Sequence, residues 1–378
     1  MTAVFSFTSH AAVLLLATSI CRAQVAAGLG GDEQAAEQEL RTAIALTRQG
    51  QFEQAIPHFH RIQGRVSKTF SVDFNLALCY LGTRQYDSAL LTLANLHGNP
   101  QQSAAIENLR AQVYIRTHQE KEALESFQKA VVLTPADEKL YVFVSDACLD
   151  EGEYDLGLRV INAGLRNLPN SPRLFYQRGL FRLRLDGVYA ANQDFERAHE
   201  LSPDSEIGYI AAAQQALASA DMDGAIRTAR EAIRKGHEHY MLLTILGEAL
   251  LRSGATPANS AEFQEAQAAL EKAVSERPGY SSAQLALGKV YLLKNRLPEA
   301  ISHLELSRQL DPANPAVYAV LARAYERSDD RDRARKMLAL MEQLNQQQAE
   351  RIASASGGHS GIATSSAVQN EKHAAPPR

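Results

Sequence analysis

An all-α solenoid of antiparallel helical hairpins is the fold this sequence predicts, and three observations predict it. Tiny residues recur every 34 positions, at Ala55, Ala89, Ala123, Gly157, Ala191 and Ala225. Prolines recur on the same step, at Pro135, Pro169 and Pro203. Between these marks the stretch VYIRTHQEKEALESFQKAVVLTPAD (113–137) divides into two runs of helically spaced apolar residues separated by a polar turn. A fixed period of this length is the signature of stacked units, none of which buries its apolar stripe alone.

Along the chain, the first two dozen residues stand apart. The apolar run AAVLLLATSI (11–20) is followed by CRAQ, which suits a secretory signal peptide cleaved after Ala23. The run is too short to span a bilayer, and no Lys or Arg precedes it. A lipoprotein signal fits less well, since Ile20 stands before Cys21 where a small residue is required. The expectation is therefore an exported chain, in the periplasm of a bacterial cell, with a cytoplasmic protein carrying a native N-terminal helix as the alternative. Residues 24–35 read as a linker.

The periodic region runs from 36 to 347 as nine units, beginning near 36, 70, 104, 138, 172, 206, 240, 281 and 315. The register slips once. Gly179 leads by two steps to Gly247, but the next tiny residue is Ala266 and not residue 259, so seven residues have been added within RSGATPANSAEF (252–263). The step then resumes through Ala300 and Ala334, and from Pro278 to Pro312. Each element has a local reason. Gly in turns such as RQGQFEQA suits a helix end at positive φ. Proline ends the second helix because it lacks the next backbone donor. Ala and Gly let the two helices approach to about 8 Å, and Phe127 or Phe195 fills the space beside the contact. MEQLNQQQAERIA (341–353) reads as the solvated end of the last helix, with 348–353 beyond the final unit. The Gly-, Ser- and Ala-rich stretch 354–378 lacks the apolar residues needed to offset ordering, and reads as a disordered tail.

The chain has 378 residues, is 45% hydrophobic and carries a net charge of −4 with basic and acidic residues interspersed, which argues against nucleic acid as a partner. Metal and nucleophile patterns are equally unpromising. His58 and His60, like His237 and His239, lie two apart and point to different sides of a helix. No HExxH, CxxC, GxxxxGK[ST] or GxSxG motif occurs. No catalytic residue, cofactor or metal ligand is expected, and the chain reads as a non-enzyme. Cys79 and Cys148 lie two units apart, too far for a disulfide, and read as free thiols.

The repeated pattern resembles the tetratricopeptide repeat family. The resemblance rests on Tyr141, Phe175, Tyr209 and Tyr318 near the start of the first helix, on Gly179, Gly247 and Gly288 at its middle, and on Tyr80, Tyr114, Tyr291 and Tyr325 a turn later. It rests also on the small series from Ala55 to Ala334 and the closing prolines. The first unit departs at Thr42 and Leu46, and the sixth at Ala229. The resemblance implies a right-handed superhelix whose first helices line a concave groove that holds a protein or peptide partner. Carried over onto this chain, the groove positions are Leu78, Asn108, Gln112, Val142, Asp146, Tyr176, Leu180, Ile210, Gln214, Leu285 and Lys289, with Arg116, Arg173 and Arg184 beside them. The alternative role for the apolar ones is packing against the neighbouring first helix. Some members of the family hold a C-terminal carboxylate with Lys, Asn and Arg on successive units. Here the corresponding places carry Leu40, Ile44, Asn75, Ala105 and Leu109, which do not support that mode. The alternative function is a structural subunit of an envelope secretion, pilus or polysaccharide-export assembly, touching partners along its edges and through the 252–263 insertion.

Overall fold

The computed structural model describes residues 31–66, 69–254 and 260–360. The expected signal peptide, the centre of the insertion (255–259) and the chain from 361 lie outside the described residues. Among the described residues there are eighteen helices and no strand. They pair into nine hairpins: α1 (Gly31–Arg48) with α2 (Phe52–Ile62), α3 (Thr69–Gly82) with α4 (Tyr86–Ala94), α5 (Pro100–Arg116) with α6 (Glu120–Leu133), α7 (Glu138–Glu151) with α8 (Tyr154–Asn167), α9 (Pro172–Leu185) with α10 (Val188–Leu201), α11 (Glu206–Ala218) with α12 (Met222–Arg234), α13 (Tyr240–Arg252) with α14 (Ala261–Glu276), α15 (Ser281–Leu293) with α16 (Leu297–Leu310), and α17 (Pro315–Arg327) with α18 (Arg331–Ser360).

From the fourth unit on, each first helix begins at the residue the period gives. The three earlier ones start sooner, at Gly31, Thr69 and Pro100. In α5 the reason is a capping box: Asn99 accepts from the Gln102 amide while the Gln102 side chain accepts from Asn99 N, so the helix starts at Pro100. The last helix continues to Ser360, past the expected boundary at 353. Composition disfavours starting a helix in 354–360, but extending one already formed adds a hydrogen bond per residue with no nucleation cost.

The turn inside each hairpin needs one left-handed residue to end the first helix. Glycine supplies it at Gly50 and Gly152, but on the same step the position holds Arg84, His118, Ala220, Asn295 and Asp329, at φ between 55° and 60°. The following amide then closes onto the carbonyl five residues back, as Gln85 N does on Tyr80 O at 2.8 Å. A side chain with a Cβ is strained there. Ala220→Gly is expected to stabilise the fold by about 0.5–1 kcal/mol after allowing for the extra freedom of glycine in the unfolded chain; a denaturant midpoint that stays put or falls would contradict this.

The tiny residues sit at the hairpin contacts. Ala55, Ala89, Ala123, Ala191, Ala225, Ala266, Ala300 and Ala334 are all buried. A Cβ on Gly179 would lie 2.5 Å from the Phe195 ring, and one on Gly247 2.4 Å from Leu270. The connections between units are pinned by a second recurring device. Tyr141 and Tyr318 donate from their hydroxyls to the carbonyls of Pro135 and Pro312, at 2.7 and 2.8 Å, and Gln284 does the same to Pro278 from its amide at 2.6 Å. The closing prolines thus contribute acceptors as well as helix ends. The core runs along the stack as overlapping local clusters, the larger two joining residues 74–181 and 176–283.

Candidate functional site: the inner face of the first helices

Groove positions are set by helix periodicity within each unit, and their accessibility by how closely successive first helices pack. Of the eleven expected groove residues, Leu78, Asn108, Gln112, Val142, Tyr176, Ile210 and Leu285 are buried, and Asp146, Leu180, Gln214 and Lys289 are half-buried. The small residues that bring helices together leave the fifth position of units 1 to 8 buried. Asn108 donates to Leu140 O of the next unit at 2.9 Å and accepts from Gln112 Nε2 at 2.7 Å. These two amides, chosen from the sequence as candidate peptide binders, join units 3 and 4 instead. Arg116 also bridges that junction, donating to Glu151 at 2.9 Å and to Asp150 at 3.0 Å.

Of the expected groove residues, Asp146 and Tyr176 lie at the middle of the array, where side chains of several units meet. Asp146 on α7 accepts from Gln177 Nε2 of α9 at 2.5 Å. Tyr176, one residue before, directs its hydroxyl at Met241 Sδ of α13, 3.8 Å away and two units on. Tyr240 packs edge-to-face on Tyr280 with ring centres 5.0 Å apart, and the Arg277 guanidinium lies 5.7 Å from the Tyr240 ring centre. The His239 ring lies tilted against Tyr240, with ring centres 4.2 Å apart, and faces Glu206 at 3.8 Å. Arg173 and Arg277 both act electrostatically on Asp146, His239 and Tyr240. The curve closes on itself here. Arg184 pairs with Asp311 at 3.6 Å, and Gly152 leaves room for the Ala313 methyl, only 2.8 Å from where its own Cβ would be. Residues 127 and 161 positions apart therefore meet across the concavity.

Burial raises the Asp146 carboxyl to about 7, reinforced by Asp150, while the Gln177 bond and the two arginines pull the other way. In the unfolded chain the carboxyl is ordinary, near 3.8. The native state thus holds the proton more tightly, and the stability this gives is complete below the unfolded value and lost as pH rises through about 7. Asp146→Asn is expected to match the parent's melting temperature at pH 4 and exceed it at pH 8. A difference between the two proteins that does not change with pH would contradict this. Burial likewise raises the Tyr176, Tyr240 and Tyr280 phenols, so all three remain protonated donors. Cys79 and Cys148 are free and buried; burial raises the Cys79 thiol to about 12 and the Cys148 thiol further.

Sequence reasoning named Asp146 and Tyr176 but missed Tyr240, Arg277 and Tyr280. These lie at unit boundaries, where the period assigns only a helix start or a connection. A cue existed in the aromatic and basic residues near the unit 7–8 junction, but nothing local says that this junction faces α7 and α9.

Parts of this hairpin stack match models of one repeat family. Models described as tetratricopeptide repeat match residues 40–103, 258–315 and 295–356. These stretches are tetratricopeptide repeats. A mouse relative, tetratricopeptide repeat protein 16, is 24% identical over 197 residues, which are 47% of this chain and 26% of that protein. The tetratricopeptide repeat array therefore spans about a quarter of the length of the curated relative it matches. Among solved structures, a tetratricopeptide repeat protein from Parabacteroides merdae aligns over 68% of this chain and 98% of its own, at 18% identity and TM-score 0.46. Human IFIT1, solved as a dimer with PPP-AAAA, aligns over 83% of this chain and 72% of its own, at 16% identity and TM-score 0.48. Repeats of this family build protein-interaction scaffolds, and the family is generally non-catalytic. No helix among the described residues is long and apolar enough to cross a membrane.

Proposed function

We propose that this tetratricopeptide repeat array is an exported scaffold of the cell envelope that binds a segment of a partner protein against the inner face of its middle units, without catalysis. The observation that carries the reading is the convergence of Arg173, Tyr240, Arg277 and Tyr280 with Asp146 at that face. All five keep part of their surface exposed, whereas the inner-face residues of units 2 and 3 are spent on packing. A rigid stack presents such a face without being ordered on binding, which lowers the entropic cost of capture. The short apolar run ending before Ala23 supports export.

Both parts have direct tests. N-terminal sequencing of the protein recovered from its own cells should begin at Gln24 in the envelope fraction; a chain beginning at Met1 in the cytoplasm would overturn the export reading. A photo-crosslinking residue at Gln214, on the inner side of α11, should capture a discrete partner from envelope extract. Capture of equal yield from Leu91, exposed on a second helix, or from within 252–263, would favour edge contacts instead.

A further inference from the structure

We infer that the concavity between Arg173, Tyr176 and Arg277 is a binding site for a single carboxylate carried by the partner segment. This rests on the inner-face reading above and names the chemistry that the face selects.

Donors outnumber acceptors at this place. Tyr176 is only 3% exposed, and the acceptor its hydroxyl meets is a thioether at 3.8 Å, a weak acceptor for a buried phenol. The Arg277 Nε is buried and has no hydrogen-bond partner, while its guanidinium rests against the Tyr240 ring. Arg173 shares the same electrostatic neighbours and forms no ion pair among the described residues. Elsewhere on the inner face the arginines are matched, Arg116 with Asp150 and Glu151, and Arg184 with Asp311. An under-satisfied buried donor carries a desolvation cost that an acceptor removes.

The acceptors already present are committed. Asp146 takes the Gln177 amide, and Glu206 faces His239. Their nearness also limits the ligand's charge. A planar carboxylate offers two oxygens to a guanidinium fork and brings one negative charge. A doubly charged anion would meet stronger repulsion from Glu206 and from the ionised fraction of Asp146. The Tyr240 and Tyr280 rings give the aliphatic stem of an Asp or Glu side chain an apolar wall. The positions that define the family's known carboxylate-holding constellation carry Leu40, Ile44, Asn75, Ala105 and Leu109 here, so this site is a separate one built across the curve of the array.

The test uses the full mature chain and three decapeptide libraries. One is amidated with a fixed central Glu, one is amidated with a fixed central Gln, and one has central Gln with a free C-terminal carboxylate. Central Glu is expected to bind about tenfold more tightly than central Gln, a preference that the Arg173→Gln/Arg277→Gln double variant abolishes and Arg159→Gln leaves intact. The free-carboxylate library showing the preference instead would place the charge at a chain end and still support the site. Peptide binding with no acidic preference, or a preference that survives the double variant, would overturn the inference while leaving the scaffold reading standing. Absence of binding from all three libraries would overturn both. If the double variant fails to fold, Arg277→Lys keeps the charge and loses the fork; an undiminished Glu preference there would also overturn the site. Inorganic phosphate that binds more tightly than the Glu peptides and displaces them would overturn the assignment of a carboxylate.

Discussion

Ala123→Arg is expected to abolish folding of the third unit and to release its neighbours with it. Ala123 is buried on α6, which packs along α5, and Phe127 one turn on packs edge-to-face against Tyr141 of the next unit at 5.9 Å. An arginine there must bury an unpaired guanidinium or force the hairpin apart. Either outcome costs at least about 4 kcal/mol, at the upper end for single substitutions. Because each unit is held by its neighbours, the loss spreads along the stack and does not stay local. The measurement is a denaturant titration followed by circular dichroism, with amide exchange to locate the opening. An unchanged midpoint and helicity would show that α5 and α6 are not in close contact.

Arg116→Met is expected to cost about 2–3 kcal/mol, and to do so at the junction of units 3 and 4. The Arg116 side chain is 1% exposed and bridges two carboxylates, Asp150 and Glu151, in the last turn of α7. Burial opposes its charge, but the two carboxylates more than compensate and hold its pKa above the usual arginine range. Without it, two negative groups stand together at the negative end of a helix dipole. Those carboxylates are about a fifth exposed, so water recovers part of the loss, which is why the figure lies below that for a fully buried pair. Arg116→Lys should lose roughly half as much, since one ammonium serves one carboxylate well and not both. An Arg116→Met protein as stable as its parent in denaturant would mean that the bridge contributes nothing to the junction.

The two sites differ in how much of their environment is local in the sequence. The partner of Ala123 within its hairpin follows from the 34-residue step, because a contact between two helices joined by a short turn is local in sequence. Arg116 was legible only as an inner-face residue. Its role depends on the next unit lying close enough for two carboxylates to reach it, and the same closeness diverts Asn108 and Gln112 from ligand binding to packing. A residue on the inner face of a first helix has one identity in the sequence and two available environments, and the inter-unit distance chooses between them.

The period, the hairpin grammar, the small residues at the crossings and the closing prolines were determined by sequence alone, since each is a property of one 34-residue stretch or of two adjacent ones. What only the tertiary structure decided is the curvature. Small rotations between successive units add up over the array until α7 and α9 face the connections around Arg277 and Ala313. No local pattern encodes that sum, so the meeting of Asp146, Tyr176, Tyr240, Arg277 and Tyr280 emerges only once the whole stack is assembled.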